Sequence, residues 1–256
     1  MLRRIWSHRY LLFSLIRRQY YLRYRQSFAG VAWALVPPLA TLGAATLVFH
    51  RVIGVETGRP YVLFALSALA PWTFFANSLI LGVPSVLNAH MMVTRLAFPR
   101  AILPLSTVGI SLLDMAIASL TFVVFAYALG DGVPATAVWF PLLILIEILL
   151  IVGILLLASA LNIFARDVGL AVPLIVQVWF FLTPVVYPLG QVPQALRGWY
   201  MANPMTGVVE SFRRVLVNGQ APEPELLLTS VLGAAGVLLV GAWYFRATED
   251  RFADVI

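Results

Sequence analysis

The 256-residue chain contains no cysteine and no lysine, and all 17 of its basic side chains are arginine. Without cysteine there is no disulfide, no thiolate nucleophile and no cysteine metal site. Without lysine there is no Walker A loop, whose lysine must reach the β- and γ-phosphates, and no Schiff-base chemistry. Any ATP hydrolysis that serves this protein therefore takes place on another chain. Charge is scarce as well: 11% of residues are charged, against about 25% in a typical soluble domain. The three histidines, His8, His50 and His90, form no HExxH motif, and GxSxG is absent. No paired carboxylates mark a cleft.

What fills the chain instead is hydrocarbon. Hydrophobic residues make up 61% of it, and its mean hydropathy is +0.93. Outer-membrane strands alternate apolar and polar residues over roughly 10-residue segments. Here the apolar runs are continuous and about twice that length, which predicts membrane-crossing α-helices of about 20 residues. Six spans are expected, at 28–49, 61–87, 102–129, 133–164, 168–187 and 226–245. Gly54 to Pro60 and Gly130-Asp131-Gly132 with Pro134 supply the turns between spans one and two and between three and four. No internal repeat or low-complexity tract appears, so 1–256 reads as a single all-α membrane domain.

The arginines orient that domain. With both termini inside, 12 arginines fall on inner segments and 5 on outer ones, the positive-inside bias. Seven of the 12 lie in the head, 1–26, among Trp6, Tyr20, Tyr21 and Tyr24. That head is too charged to span and too apolar to float free, so an interfacial helix is expected, with Arg23 and Arg25 snorkelling. A short apolar stretch followed by arginines, with no small-residue cleavage site, argues against a cleaved signal peptide. The formal net charge of +6 is assigned to anionic lipid head groups, not to nucleic acid, because the arginines sit beside apolar runs.

Four further features carry candidate functions. The second inner loop, Asn88 to Arg100, has room for a short helix ended before Pro99, and Met91, Met92 and Phe98 are oddly apolar for a solvated loop. Its apolar side chains suit either a partner contact or packing against the chain's own spans. Asp114 and Glu147 lie inside spans, with no arginine in a span to pair with them. They suit either hydrogen-bonded neutral carboxyls or a proton relay. The stretch 188–216, punctuated by Pro188, Pro193 and Pro204, predicts re-entrant helices, with Glu210 and Arg214 at i,i+4 spacing and Arg213 beside them, which suit either a local salt bridge or an outer gate. Trp33, Trp72, Trp179, Phe180, Phe181, Tyr187, Trp199 and Tyr200 suit helix packing, interface belts or a pore wall that stacks sugar rings.

Five motifs in order resemble the permease subunits of ABC-2 type polysaccharide exporters. They are the run from Tyr24 to Leu39, Arg95-Leu-Ala-Phe-Pro-Arg-Ala-Ile-Leu-Pro104, Phe164-Ala-Arg-Asp-Val-Gly169, Thr183-Pro-Val-Val-Tyr-Pro188 and Asn203-Pro-Met-Thr-Gly207. The resemblance covers nearly the whole chain; Pro37-Pro38 departs from it, a double proline where one is usual. It implies a homodimer in the bacterial inner membrane, paired with two ABC ATP-binding subunits that hold the ATP and Mg. The cargo it implies is a lipid-linked polysaccharide. By the same resemblance Met91, Met92, Arg95, Phe98, Pro99, Arg100, Arg166 and Asp167 face the ATPase. Trp33, Phe180, Phe181 and Tyr187 line the pore, the head guides the lipid carrier, and 188–207 with Trp199 and Tyr200 forms an outer gate. Rival readings are a permease for drugs or small lipids, a polyprenyl-lipid enzyme, and a proton-coupled carrier using Asp114 and Glu147.

Overall fold

A computed structural model of the chain describes residues 2–24, 33, 35–54 and 57–255. Every regular element among them is helical. In chain order these are α1 (Leu2–Ser7), α2 (Arg9–Tyr24), α3 (Val36–Ala45), α4 (Tyr61–Gly82), α5 (Ser85–Asn88), α6 (His90–Arg95) and α7 (Ile102–Ala128). They continue as α8 (Phe140–Phe164), α9 (Asp167–Phe181), α10 (Gln194–Ala202), α11 (Pro204–Leu216), α12 (Pro224–Thr248) and α13 (Phe252–Val255).

Four helical segments among the described residues are long and apolar enough to cross a bilayer: Tyr61–Gly82, Ile102–Ala128, Ala135–Phe164 and Pro224–Arg251. The other two expected spans are shorter. Residues 28–32 and 34 of the first lie outside the described residues; from 36 on it is α3 continued by a π-helical turn over Thr46–Val52. The fifth is α9, which ends at Phe181, six residues before the expected boundary at 187, because Pro184 cannot continue it. The second ends at Gly82 instead of 87, where Pro84 opens a short helix of its own, α5.

Burial sorts the helices. In the most apolar window of α4, 78% of residues are buried, against 22% in that of α12. Helix α4 is thus the central post, whereas α12 leaves Leu228, Leu232, Leu239 and Trp243 exposed, as a lipid-facing helix would. Small residues bring α12 and α8 together. A Cβ added at Gly241 would collide with the carbonyl oxygen of Gly153, and one at Gly153 would lie 2.5 Å from the Leu238 nitrogen. Close backbone approach of this kind is how membrane helices gain van der Waals contact where the hydrophobic effect between them is lost.

The main core is built on α4, α7, α8 and α11. A second, smaller cluster gathers one end of the bundle: Leu15 of α2, Val86 of α5, Val93 of α6, Ile102 of α7, Ile163 of α8, Phe245 of α12 and Phe252 of α13. Loops segregate accordingly. Arg59, before α4, pairs with Asp131, after α7, at 2.8 Å, and the Thr136 hydroxyl donates to the Val215 carbonyl at 2.7 Å. Those contacts gather the α3–α4 loop, the α7–α8 loop and α11 at the end opposite the second cluster.

Candidate functional site

Two constellations stand out, one at each end. At the end of the second cluster, the loop from Asn88 to Arg100 contains α6, which stops four residues before Pro99. Its apolar residues divide. Val93 is buried, Met92 and Phe98 pack against the cluster, and Met91 and Leu96 remain about half exposed. The loop thus both anchors itself and presents an apolar surface alongside exposed Arg95. Its anchor is the segment that follows α12. The Arg100 N–H donates to Glu249 Oε1 at 2.8 Å, and the Arg100 guanidinium donates to the Glu249 carbonyl. The same guanidinium faces the Phe252 ring, whose side chain is fully buried against Phe245 and Phe164.

Arg166 and Asp167 lie exposed at the same end, in the turn between α8 and α9. Asn162 holds that turn: its Oδ1 accepts from the Gly169 N–H at 2.7 Å, and its Nδ2 donates to the Val83 carbonyl at 3.4 Å. Nothing in the sequence distinguished Asn162 from an ordinary polar residue near a helix end.

Helix α2 lies against α7. Gln19 donates to the Ser106 hydroxyl at 2.9 Å, and Arg23 pairs with Asp114 at 2.7 Å. Asp114 thus has an arginine partner that the sequence did not indicate, and it comes from the head, not from a span. Along α2, Arg17 donates to the Tyr21 hydroxyl and packs on its ring, and Tyr20 meets Tyr21 edge-on. Tyr24 ends the helix, and Arg25 lies outside the described residues. Glu147 behaves differently from Asp114. It is fully buried in α8, and neither carboxyl oxygen has a hydrogen-bond partner among the described residues.

At the opposite end, the chain after α9 folds over α4 and α11. Thr183, Pro184, Val185 and Val186 are buried, although no helix satisfies their carbonyls. The Val185 N–H serves the Thr183 carbonyl, and side chains serve the other three. Arg213 Nη2 donates to the carbonyls of Pro184 at 2.8 Å and Val185 at 3.0 Å. The Tyr61 hydroxyl donates to Val186 at 2.7 Å. Arg213 also pairs with Glu210 at 2.7 Å, and its guanidinium lies 3.8 Å from the Phe64 ring centroid. The expected i,i+4 pairing of Glu210 with Arg214 does not form. Arg213, 3% exposed, takes Glu210, whereas Arg214 pairs with Glu223 at 3.2 Å.

Asn203 ties α11 to the same fold-over. Its side chain caps Met205, accepts from Trp179 Nε1 and donates to Thr183 and Leu182. The hydroxyls of Tyr187 and Tyr200 lie 2.9 Å apart, both near the Phe181 carbonyl. Pro188 precedes a 3-10 turn, and Pro204 opens α11. Of the aromatic residues assigned to a pore wall, Phe180 packs on Trp72 and Phe181, and Tyr187 on Phe49. Phe181 is 55% exposed, Trp199 79% and Trp33 54%. Trp33 makes no ring contact with Phe180, Phe181 or Tyr187, so these four do not form one wall within a single chain.

This architecture defines a multi-pass α-helical membrane protein with a polar, arginine-bearing end and no enzymatic constellation among the described residues. The chain belongs to the ABC-2 type transporter family, whose profile matches residues 10–217. It is 27% identical to the O-antigen export system permease protein RfbA of Myxococcus xanthus, over 100% of this chain and 99% of that protein. It is also 27% identical to the protein of the same name from Klebsiella pneumoniae, over 96% of this chain and 95% of that one.

Proposed function

We propose that this chain is the membrane subunit of an ATP-driven exporter that moves a lipid-linked polysaccharide across the bacterial inner membrane. End-to-end similarity to two O-antigen export permeases carries the reading. The missing lysine supports the division of labour, since nucleotide must be bound and split on a separate ATP-binding subunit. Six spans with both termini cytoplasmic suit the segregation of loops. The contacts Arg59–Asp131 and Arg100–Glu249 gather loops that such a topology puts on opposite faces. On this reading α3 and α9 are spans, α2 lies in the cytoplasmic interface, and α10 and α11 dip back from the outer face.

The mechanism is mechanical. Two ATPase subunits close on ATP and press on Met91, Arg95 and Leu96, with Arg166 and Asp167 at the rim of the same footprint. Because Arg100 is fastened to Glu249 and Phe252, a push on this loop moves α7 and α12 together. A second copy completes the conduit, since α9 buries only Val172 and Val176 and leaves Leu170, Leu174, Ile175 and Val178 exposed. Exposed Phe181 and Trp199 offer the polymer weak, exchangeable stacking, as conduction requires.

The test is to reconstitute the chain with its ATPase subunit in liposomes. ATP turnover is measured with lipid-linked glycan and, separately, with hydrophobic drugs. Stimulation by the glycan is expected. Stimulation by drugs alone would assign the chain to small-molecule export, and turnover by the purified chain without its partner would overturn the division of labour.

A further inference from the structure

Between α2 and the ends of α4 and α7 lies an open cleft of about 720 Å³. We infer that this cleft binds the phosphate head group of an anionic bilayer phospholipid such as phosphatidylglycerol. The inference concerns the solvating membrane, not the cargo, and stands apart from the export reading.

Charge comes first. Among the described residues the cleft is lined by Arg18 and Arg23 and by no acidic residue. Arg23 is held at the wall by Asp114, so its guanidinium has a fixed position. Arg18 makes no hydrogen bond or ion pair with the described residues, so its donors are available to a ligand. Asn88, also in the lining and exposed, adds an amide that can donate. A phosphodiester carries one negative charge and several acceptor oxygens, which suits a fork of arginine donors beside an amide.

Hydrocarbon argues for a lipid over a soluble anion. Most of the remaining wall is apolar, and Leu22, Leu81 and Met91 are at the same time cleft lining and 71%, 40% and 50% exposed. They offer a path by which acyl chains leave the cleft for the bilayer. Helix α2 carries Tyr10 and Phe13 outward as well, at 75% and 65% exposure, among its arginines, the composition of a helix lying at head-group level. The bilayer is also the source present at highest concentration at such a site. Met91 and Met92 bring the cleft against α6, so an occupied cleft fixes α2 relative to that loop.

Native mass spectrometry of the full-length chain in neutral detergent tests this. The probes are phosphatidylglycerol, phosphatidylcholine, glycerol 1-phosphate and a polyprenyl phosphate, each titrated separately. We expect phosphatidylglycerol to bind at least about tenfold tighter than phosphatidylcholine, with R18Q and N88L each weakening it, the former about tenfold. R17Q, one position along α2 where the side chain is engaged with Tyr21, should change affinity less than about twofold. R18Q alters an exposed residue and leaves the packing untouched, so its effect reports on binding. Equal affinity for the two phospholipids, or equal losses in R18Q and R17Q, overturns the site. Binding of glycerol 1-phosphate as tight as the whole lipid makes it a soluble-anion site, and tighter binding of the polyprenyl phosphate transfers it to the cargo. Either result refutes the bilayer assignment.

Discussion

Replacing Arg213 with methionine should be among the most damaging single changes outside the α8–α12 contact. The guanidinium, 3% exposed, does four things at once: it pairs with Glu210, donates to the Pro184 and Val185 carbonyls, and lies over Phe64. Methionine fills much of the volume, so the loss is electrostatic more than steric. Removing one member of a buried pair costs about 3–5 kcal/mol, because the survivor and the abandoned acceptors stay behind. For a chain of this size about 1 kcal/mol moves Tm by roughly 2–4 °C, so a fall of about 6–20 °C is expected. Arg214 is the internal control. Its bond to Glu223 is 3.2 Å long with both side chains about a third exposed or more, and Arg214→Met should cost under about 1 kcal/mol. The seven tryptophans allow thermal unfolding in detergent to be followed by intrinsic fluorescence. Adding Glu210→Gln to Arg213→Met should recover part of the loss, since the stranded carboxylate is gone. Equal Tm values for the two arginine variants would refute the claim that Arg213 holds the fold-over in place.

The Arg23–Asp114 pair should respond asymmetrically, because Arg23 is 37% exposed at its side chain and Asp114 only 8%. Arg23→Gln takes a charge-assisted bond from a buried carboxylate and should cost about 2–3 kcal/mol, while Asp114→Asn weakens a bond to an arginine that water can reach and should cost about 1 kcal/mol. Equal Tm shifts would contradict the burial argument. Glu147 has no partner to lose among the described residues, so Glu147→Leu should raise stability by about 1–2 kcal/mol, and a lower Tm with export abolished would show that the carboxyl serves transport. Gly241→Val should abolish folded protein in size-exclusion profiles, since its first added carbon meets the Gly153 carbonyl. Gly236→Val, with nothing within 4 Å, should elute as the parent does, and matching profiles would disprove close α8–α12 packing.

How much of this was legible beforehand follows from the range of each interaction. Helices α4, α7, α8 and α12 answer to runs of hydrocarbon, a local signal that composition reports directly. Their ends are less legible. The run 61–87 stays apolar past Gly82, and only Pro84 marks the break that the chain takes. Side-chain pairing was hidden for a different reason. Arg23 and Asp114 are 91 positions apart, a separation at which spacing says nothing. For Glu210 the sequence offered Arg213 and Arg214 at i,i+3 and i,i+4, both workable on a helix surface. Burial decided between them: the buried face of α11 carries Arg213 toward Pro184 and leaves Arg214 at the rim, beside Glu223. The double role of the Asn88–Arg100 loop was likewise open, and the structure divides it residue by residue between anchor and exposed surface.

Arg213 at one end and Arg18, Arg95 and Arg166 at the other are held in opposite ways, and on the proposed reading the contrast bears on which end moves. Arg213 is enclosed and bonded through both Nη atoms, so displacing the backbone that follows α9 means breaking several charge-assisted bonds in a buried site. At the other end Arg95 and Arg166 are exposed, Arg18 makes no hydrogen bond or ion pair with the described residues, and Arg23 is more than a third exposed. Charges in that setting exchange partners with water, lipid or another protein for about 1 kcal/mol or less. A device driven from one face needs such exchangeable contacts where force arrives and costly ones where the frame must hold. On the proposed reading the Arg213 fold-over belongs to the frame, and motion at the far end would pass around it, through α10 and the tyrosine pair Tyr187–Tyr200, whose bonds lie near solvent.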